Sequence, residues 1–302
     1  MKIAVFGAGK WGSALYHALC FKNQCVISSK TPREIPNFVS TDEALKAEIL
    51  VMTIPSQATS DWLKQNFKNY NQKILVASKG IETKSSRFLN EIYEEYVDSS
   101  NLAFLSGPTF SKEVEQNLPC ALVINSKNLT LASEISDLFP DYMKAYTSDD
   151  VIGAEICGAY KNVIAIAGGI CDGLGLGNNA RASLIARGLV EMARFGKHFG
   201  AKDETFLGLS GAGDLFLTAS SSLSRNYRVG LGLAKNQSLE KILSDLGEVA
   251  EGVDTSRAIE NIAKKEKIYT PIVNEVVLML DGKGVQKSLS DLLSRKNNFT
   301  NF

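Results

Sequence analysis

The sequence is poor in histidine, with His17 and His198 the only two in 302 residues. Proton transfer of the kind histidine usually carries must therefore rest on another side chain. No excess of either charge is present, since 33 Lys+Arg balance 33 Asp+Glu. Without a strongly basic stretch, nucleic acid and anionic membrane surfaces are not expected as partners. The five cysteines (Cys20, Cys25, Cys120, Cys157 and Cys171) form no C-x-x-C pair and fall in apolar segments. They read as reduced core residues of a cytoplasmic protein, and neither a disulfide frame nor a metal site is expected. No run of about 18 apolar residues is evident, which argues against membrane insertion. Met1-Lys2 leads straight into a strand pattern, leaving no room for a signal peptide.

Hydrophobic residues make up 44% of the chain, enough for two cores of ordinary size. In the first half, short apolar runs at 3–6, 25–28, 49–54, 73–78, 102–105, 121–125 and, weakly, 143–146 read as strands. Segments with helical spacing lie between several of them, at 11–21, 59–67, 87–96 and 129–139. That alternation predicts a mainly parallel sheet covered on both faces. Near Asp149-Asp150, a good helix start, the rhythm changes. Long helical patterns follow at 151–171 and 179–199, with shorter ones at 238–246, 254–265, 272–280 and 285–294. The expected organisation is α/β: an N-terminal domain over 1–148 and an all-α domain over 149–302. The polar tail 295–302 is expected to be loose.

Gly7-Ala8-Gly9-Lys10-Trp11-Gly12 follows the first strand and opens a helix. In this G-x-G-x-x-G arrangement Gly7 permits a tight turn and Gly9 a close approach to a pyrophosphate. Gly12 lets helix and strand pack closely, and the helix N-terminus faces the phosphates. A Rossmann-type dinucleotide-binding fold is the functional reading; a glycine-rich turn without a ligand is the bland one. The second strand ends without an acid until Glu34, passing through Ser28, Ser29, Lys30, Thr31 and Arg33. Hydroxyls and cations there suit a 2′-phosphate, so the cofactor is NADP or NAD with NADPH slightly favoured; a solvated loop is the alternative.

In the helical half, Ala154, Gly158, Lys161, Ala165, Gly168 and Asp172 share one face of a long apolar helix. Partial burial among small residues lowers the pKa of an amine toward the range useful for proton transfer, and a second lysine nearby lowers it further. The competing reading is a lysine that reaches out to water. Gly211-Ala212-Gly213-Asp214 places a carboxylate on a turn, and Ser224-Arg225-Asn226 groups donors suited to a phosphate. Each alone reads equally as a turn or a helix cap. Ser78-Lys79-Gly80 and Ser106-Gly107-Pro108-Thr109-Phe110 leave strands at their carboxyl ends, where open parallel sheets bind ligands. Neither histidine is assigned to the chemistry, and the glycine-rich run 173–177 reads as a helix–helix connection.

Taken together, these motifs resemble bacterial-type NAD(P)-dependent glycerol-3-phosphate dehydrogenase. Besides those above, the resemblance rests on Ala159-Tyr160-Lys161-Asn162-Val163, residues 178–188 and Ala250-Glu251-Gly252. It implies that Lys161 exchanges the proton of the substrate C2 oxygen and that Lys79 contacts substrate and cofactor. Gly107 and Thr109 resemble substrate contacts, Asp214 a residue of the substrate site, and Ser224, Arg225 and Asn226 the phosphate clamp. Lys10, Trp11, Ser111, Val249, Glu251 and, through the clamp, Arg225 resemble cofactor contacts. Thr109 stands where the family more often has Ser, and the connection over residues 30–47 is shorter than usual. A small phosphorylated substrate and a homodimer formed through the helical domain are further implications. The rivals are a hydroxyacid dehydrogenase, a catalytically dead dinucleotide sensor, and a structural partner protein. The phosphate-suited cluster argues against the first and the joint presence of Lys79, Lys161 and Asp214 against the second. The absence of heptads or a large apolar face argues against the third.

Overall fold

The computed structural model describes residues 2–295. The loose tail expected over 295–302 therefore falls, beyond Arg295, outside the described residues. Two compact units emerge: Met1–Glu82 with Arg87–Glu155, and Thr83–Ser86 with Ile156–Phe302. The chain passes from one to the other within a single helix, Val151–Gly173.

The first unit is built on seven strands: β1 Lys2–Phe6, β2 Gln24–Ser28, β3 Ile49–Met52, β4 Lys73–Val76, β5 Leu102–Ser106, β6 Cys120–Asn125 and β7 Met143–Ser148. Their order across the sheet is β2-β1-β3-β4-β5-β6-β7. Every neighbouring pair is parallel except β5 and β6. All seven apolar runs became strands, and the central ones supply both faces, whereas the edge strand β7 buries only Met143. Ile3, Val5, Ile49, Val51, Leu75 and Leu105 enter one apolar cluster, while Ala4, Phe6, Leu50, Met52, Ile74 and Phe104 enter the other. A period of two with no polar side is the pattern of a sheet buried on both faces. The helix Lys10–Leu19 adds Ala14, Leu15, Ala18 and Leu19 to the first cluster. Chain order reverses between β1 and β3, which creates a topological switch point at their carboxyl ends.

One helix is shorter than expected. The segment 87–96 begins its helix only at Leu89, because Arg87–Phe88 pairs with Ile81–Glu82 as a two-residue hairpin. The Glu91 carboxylate accepts from the Phe88 backbone N–H at 2.8 Å and so marks the helix start. At the head of Val151–Gly173, Asp150 accepts from the Gly153 N–H at 3.0 Å, as an acid at a helix N-terminus should.

From Ile156 on, the described residues of the second unit form helices and their connections, with no strand among them. Gly177–His198, Leu239–Leu246, Glu251–Glu266, Pro271–Leu280 and Val285–Leu293 match the expected patterns within a few residues. The intervening Gly175 and Gly177 have φ of 66° and 84°, the left-handed geometry that a tight helix–helix connection requires. Three helices were not expected: Asp203–Leu207, Asp214–Ala219 and Arg225–Ala234. The last is rich in glycine for a packing reason. A side chain at Gly230 would lie 2.0 Å from the Ile166 carbonyl oxygen, and one at Gly169 would lie 2.0 Å from that of Tyr227. The two helices touch backbone to backbone, so glycines that weaken helix propensity are required by the contact.

Two expectations are corrected. Val151–Gly173 is long and apolar enough to cross a membrane by composition, but 94% of its apolar window is buried inside the protein. It is a core helix, apolar all round because protein covers it. Cys25, Cys157 and Cys171 are buried as expected, whereas Cys20 caps the carboxyl end of Lys10–Leu19 and is exposed.

Candidate active site

In the first unit the site residues gather at the carboxyl ends of the strands. Gly7 has φ 105°, a turn that L side chains resist, and a side chain there would meet the Thr53 hydroxyl at 2.6 Å. That hydroxyl donates to the carbonyls of Phe6 (2.8 Å) and Gly7 (3.1 Å), pinning the loop to the end of β3. At Gly12 a side chain would sit 1.8 Å from the Gly7 oxygen, so this glycine is demanded by the return of the helix onto the loop. Gly9 differs: a side chain there meets no protein atom within 4 Å. Packing does not require its glycine, but the approach of a pyrophosphate does. The loop thus fits a dinucleotide by its own geometry.

Trp11 donates from Nε1 to the Ala77 carbonyl at 2.8 Å, tying the head of the helix to the end of β4. Two residues on, Lys79 Nζ donates to the Gly107 carbonyl at 3.1 Å, and the Thr109 hydroxyl donates to the same oxygen at 3.4 Å. Gly107 itself has φ 104°. Lys79, Gly107 and Thr109 therefore form one group. Lys10 and Ser111 open the helices Lys10–Leu19 and Ser111–Glu115. Lys30 is exposed beyond β2, on the far side of β1.

The second unit carries a buried ion pair. Lys161 Nζ donates to Asp214 Oδ1 at 2.6 Å, with side chains only 11% and 2% exposed. Thr218, one helical turn after Asp214, lies 3.3 Å from the ammonium and donates to the same carboxylate oxygen at 3.2 Å. A carboxylate this close favours the ammonium form, the form able to give a proton. The expectation of a turn at Asp214 is corrected, since it is the first residue of the helix Asp214–Ala219. A π-helical turn, Leu209–Gly213, delivers the chain to it, closed by the Gly213 N–H on the Gly208 carbonyl. Gly211 is forced there: a side chain would lie 2.2 Å from the Phe206 oxygen.

Three sequence motifs converge around this pair. Asn226 Oδ1 accepts from the Gly252 N–H at 2.9 Å, and a side chain at Gly252 would strike the Asn162 carbonyl at 2.7 Å. The Lys161-Asn162 helix, the 224–226 turn and the 250–252 turn are thereby fixed to one another. Ser224 caps the helix Arg225–Ala234 by accepting from the Tyr227 N–H at 3.2 Å, so its hydroxyl already serves the backbone. Arg225 reaches Glu248 at 3.4 Å and stays half-exposed. Val249 is exposed, and Glu251 opens the helix Glu251–Glu266.

Family models for the N-terminus and C-terminus of NAD-dependent glycerol-3-phosphate dehydrogenase match residues 22–132 and 150–290. A glycerol-3-phosphate dehydrogenase [NAD(P)+] of Campylobacter lari is 62% identical, over 98% of this chain and 99% of its own. The chain belongs to the NAD-dependent glycerol-3-phosphate dehydrogenase family. A similarly named protein of Sulfurimonas denitrificans is 59% identical over 97% of this chain and 99% of its own. The solved glycerol-3-phosphate dehydrogenase of Coxiella burnetii superposes with a TM-score of 0.90 at 31% identity, covering 97% of this chain and 99% of that one. The likeness to a D-mandelate dehydrogenase (TM-score 0.64, 15% identity) is one of fold alone.

Within this dehydrogenase fold, one polar residue at the ion pair escaped sequence reading. Thr218 sits four residues after Asp214, a spacing that becomes visible only once the segment is known to be helical. Away from the pair, Glu191 is fully buried and accepts from the Ile272 and Val273 N–H groups at 2.8 and 3.0 Å and from Tyr160 at 3.3 Å. Burial pushes its carboxyl up to about 7, against the pull of those N–H donors. Burial, then the carboxylate of Glu191, raise the Tyr160 phenol well above its ordinary value. Glu191 thereby joins the helix that carries Lys161 to the start of Pro271–Leu280.

Proposed function

We propose that this protein catalyses the reversible NAD(P)H-dependent reduction of dihydroxyacetone phosphate to sn-glycerol 3-phosphate, the backbone precursor of phospholipids. One observation carries the reading. A buried ammonium, held by Asp214 and Thr218, stands on a helix locked to a turn rich in phosphate-binding groups.

When bound, the dinucleotide supplies a hydride to the carbonyl carbon. The residues proposed to hold it are Gly7, Gly9, Lys10, Trp11, Gly12, Lys30, Lys79, Ser111, Arg225, Val249 and Glu251. Lys161 gives its proton to the C2 oxygen as the C=O bond becomes C–OH, and takes it back in the reverse direction. Asp214 keeps that amine charged and aimed, and Thr218 buttresses both. Lys79 is assigned the role of helping to bear charge on the C2 oxygen, with Gly107 and Thr109 as further substrate contacts. The substrate phosphate is assigned to the start of Arg225–Ala234. There the positive helix end, the Arg225 guanidinium and the Asn226 amide act together, and Ser224 contributes by holding that helix end in shape. Arg225 can exchange its long contact with Glu248 for a phosphate at little cost, since exposed ion pairs are weak.

On this reading residues 1–148 bind the dinucleotide, while 149–302 bind substrate and form a homodimer in the cytoplasm. NADPH is favoured slightly, because Lys30 and Arg33 follow β2 and no acid precedes Glu34. The test is to follow NADPH and then NADH absorbance as dihydroxyacetone phosphate is added. Oxidation of the dinucleotide with this substrate, but not with 2-keto acids, is expected. No turnover with either dinucleotide would overturn the proposal.

A further inference from the structure

Away from the buried ion pair, one carboxylate gathers side chains from three helices of the second unit. Asp172, next to last in Val151–Gly173, accepts at Oδ2 from the Tyr227 hydroxyl at 2.6 Å and from Arg181 Nη1 at 3.0 Å. Arg181, in the second turn of Gly177–His198, also donates from Nη2 to Asn178 Oδ1 at 2.9 Å. It thereby braces the glycine-rich connection between the two long helices. Tyr227 lies in the first turn of Arg225–Ala234 and is buried. Burial, then the bond to Asp172, push its phenol up to about 12, so it remains a hydrogen-bond donor at neutral pH.

Tyr227 directly follows Arg225 and Asn226. Successive residues of a helix point about 100° apart, so Asn226 and Tyr227 leave this first turn in different directions. Each is tied to a different neighbour: Asn226 Oδ1 accepts from the Gly252 N–H at 2.9 Å, and Tyr227 donates to Asp172. Farther along, the helix meets Val151–Gly173 through Gly230 and Gly169, which have no side chains to interlock. A contact between bare backbones sets how closely two helices lie, but ridges and grooves are what resist turning about the axis. The two side-chain ties supply that resistance. On the reading that the start of Arg225–Ala234 binds the substrate phosphate, we infer that Tyr227 and Asp172 are positioning residues for that site. Their bond, braced by Arg181, fixes the rotation of the first turn, so that the Arg225 guanidinium and the N–H groups of the helix end face the phosphate.

Arg225 needs such support. Its contact with Glu248 is long, at 3.4 Å, and its side chain is 41% exposed, so its own contacts hold it loosely. An arginine rooted on a fixed backbone loses less freedom when it grips an anion, and affinity rises accordingly. The tie can be cut without stranding a charge. Removing the Tyr227 hydroxyl leaves Asp172 paired with Arg181, and the ring keeps its place in the core. Phosphate affinity and folding are therefore separable at this residue.

The test compares the full-length parent with Tyr227→Phe, Asp172→Ala and the double variant. It reads KM for dihydroxyacetone phosphate, the inhibition constant of inorganic phosphate against that substrate, kcat, and NADPH affinity. Tyr227→Phe should raise KM and the phosphate inhibition constant together, by at least about fivefold. Its kcat and NADPH affinity should stay within about twofold of the parent. Both substitutions cut the same bond, so the double variant should be no weaker than Asp172→Ala alone. Melting curves check folding, and if Tyr227→Phe does not fold, Asp172→Ala decides by the same two constants. Folded variants with both constants at parent values would overturn the positioning role. So would an equal loss of kcat and NADPH affinity, or effects that multiply in the double variant. If inorganic phosphate does not compete with substrate in the parent, the phosphate assignment itself fails and takes the inference with it.

Discussion

Replacing Asp214 with Asn tests the centre of the mechanism, because it removes a charge and leaves the shape. Asp214 Oδ1 lies 2.6 Å from the Lys161 ammonium, and both side chains are nearly excluded from water. Unit charges at that separation attract by about 6 kcal/mol at an effective dielectric of about 20. At about 1.4 kcal/mol per unit, this corresponds to about 4 pH units of support for the charged amine. Water entry and the dipole of the new amide restore part of it, so a net change of about 2 units or more is expected. The sign follows from which form is supported. Loss of the carboxylate disfavours the ammonium, so Lys161 sheds its proton at lower pH. Ketone reduction needs that proton, and its rate declines as pH rises through the titration. In Asp214→Asn the decline in kcat/KM for dihydroxyacetone phosphate should therefore begin at least about 2 pH units lower than in the parent. Melting curves run alongside separate this from unfolding, because breaking a buried pair costs up to about 3–5 kcal/mol. A folded variant whose profile declines at the parent pH, whatever its absolute rate, would refute the role given to Asp214.

The other predictions address neighbouring parts of the argument. Lys161→Ala should lower turnover by about 10²–10⁴-fold with dinucleotide affinity nearly unchanged by fluorescence titration. Gly9→Ala should keep the parent melting temperature yet weaken dinucleotide binding at least about tenfold, since its side chain meets no protein atom. Gly12→Ala should lose both, because its methyl would fall 1.8 Å from the Gly7 oxygen. Glu155, fully buried at the head of Val151–Gly173, accepts from the Asn90 N–H at 3.0 Å, and burial pushes its carboxyl up to about 8. The folded state binds this proton more tightly than the unfolded chain, so the contribution of Glu155 to stability falls as pH rises from about 4.5 to about 8. Glu155→Gln should shrink the drop in melting temperature between pH 6 and pH 9, with Glu191 sustaining what remains. An unchanged drop would mean that the carboxyl is solvated.

Much of this protein was legible in its residue order. The central strands could be read because each apolar run is buried on both faces, and local composition alone then identifies it; the edge strand Met143–Ser148, buried only at Met143, gave a weaker signal. The glycine loop was readable because its G-x-G-x-x-G spacing lies between a strand and a helix, although part of what requires Gly7 is the distant Thr53 hydroxyl, and the sequence around Lys161 carried the family resemblance. Other features depend on contacts between distant segments. Arg225–Ala234 looks a poor helix until the glycine contacts with Val151–Gly173 are seen, since backbone approach, not propensity, makes it helical. Thr218 gained its place at the ion pair from a helix that sequence spacing did not reveal, while Ser224 took the helix-cap alternative of its two local readings. The partner of Lys161 is a carboxylate 53 residues away. Local sequence marks which amine is buried among small residues. Only the folded chain decides which charge stands opposite it, because electrostatic support depends on distance through space and on the water excluded there.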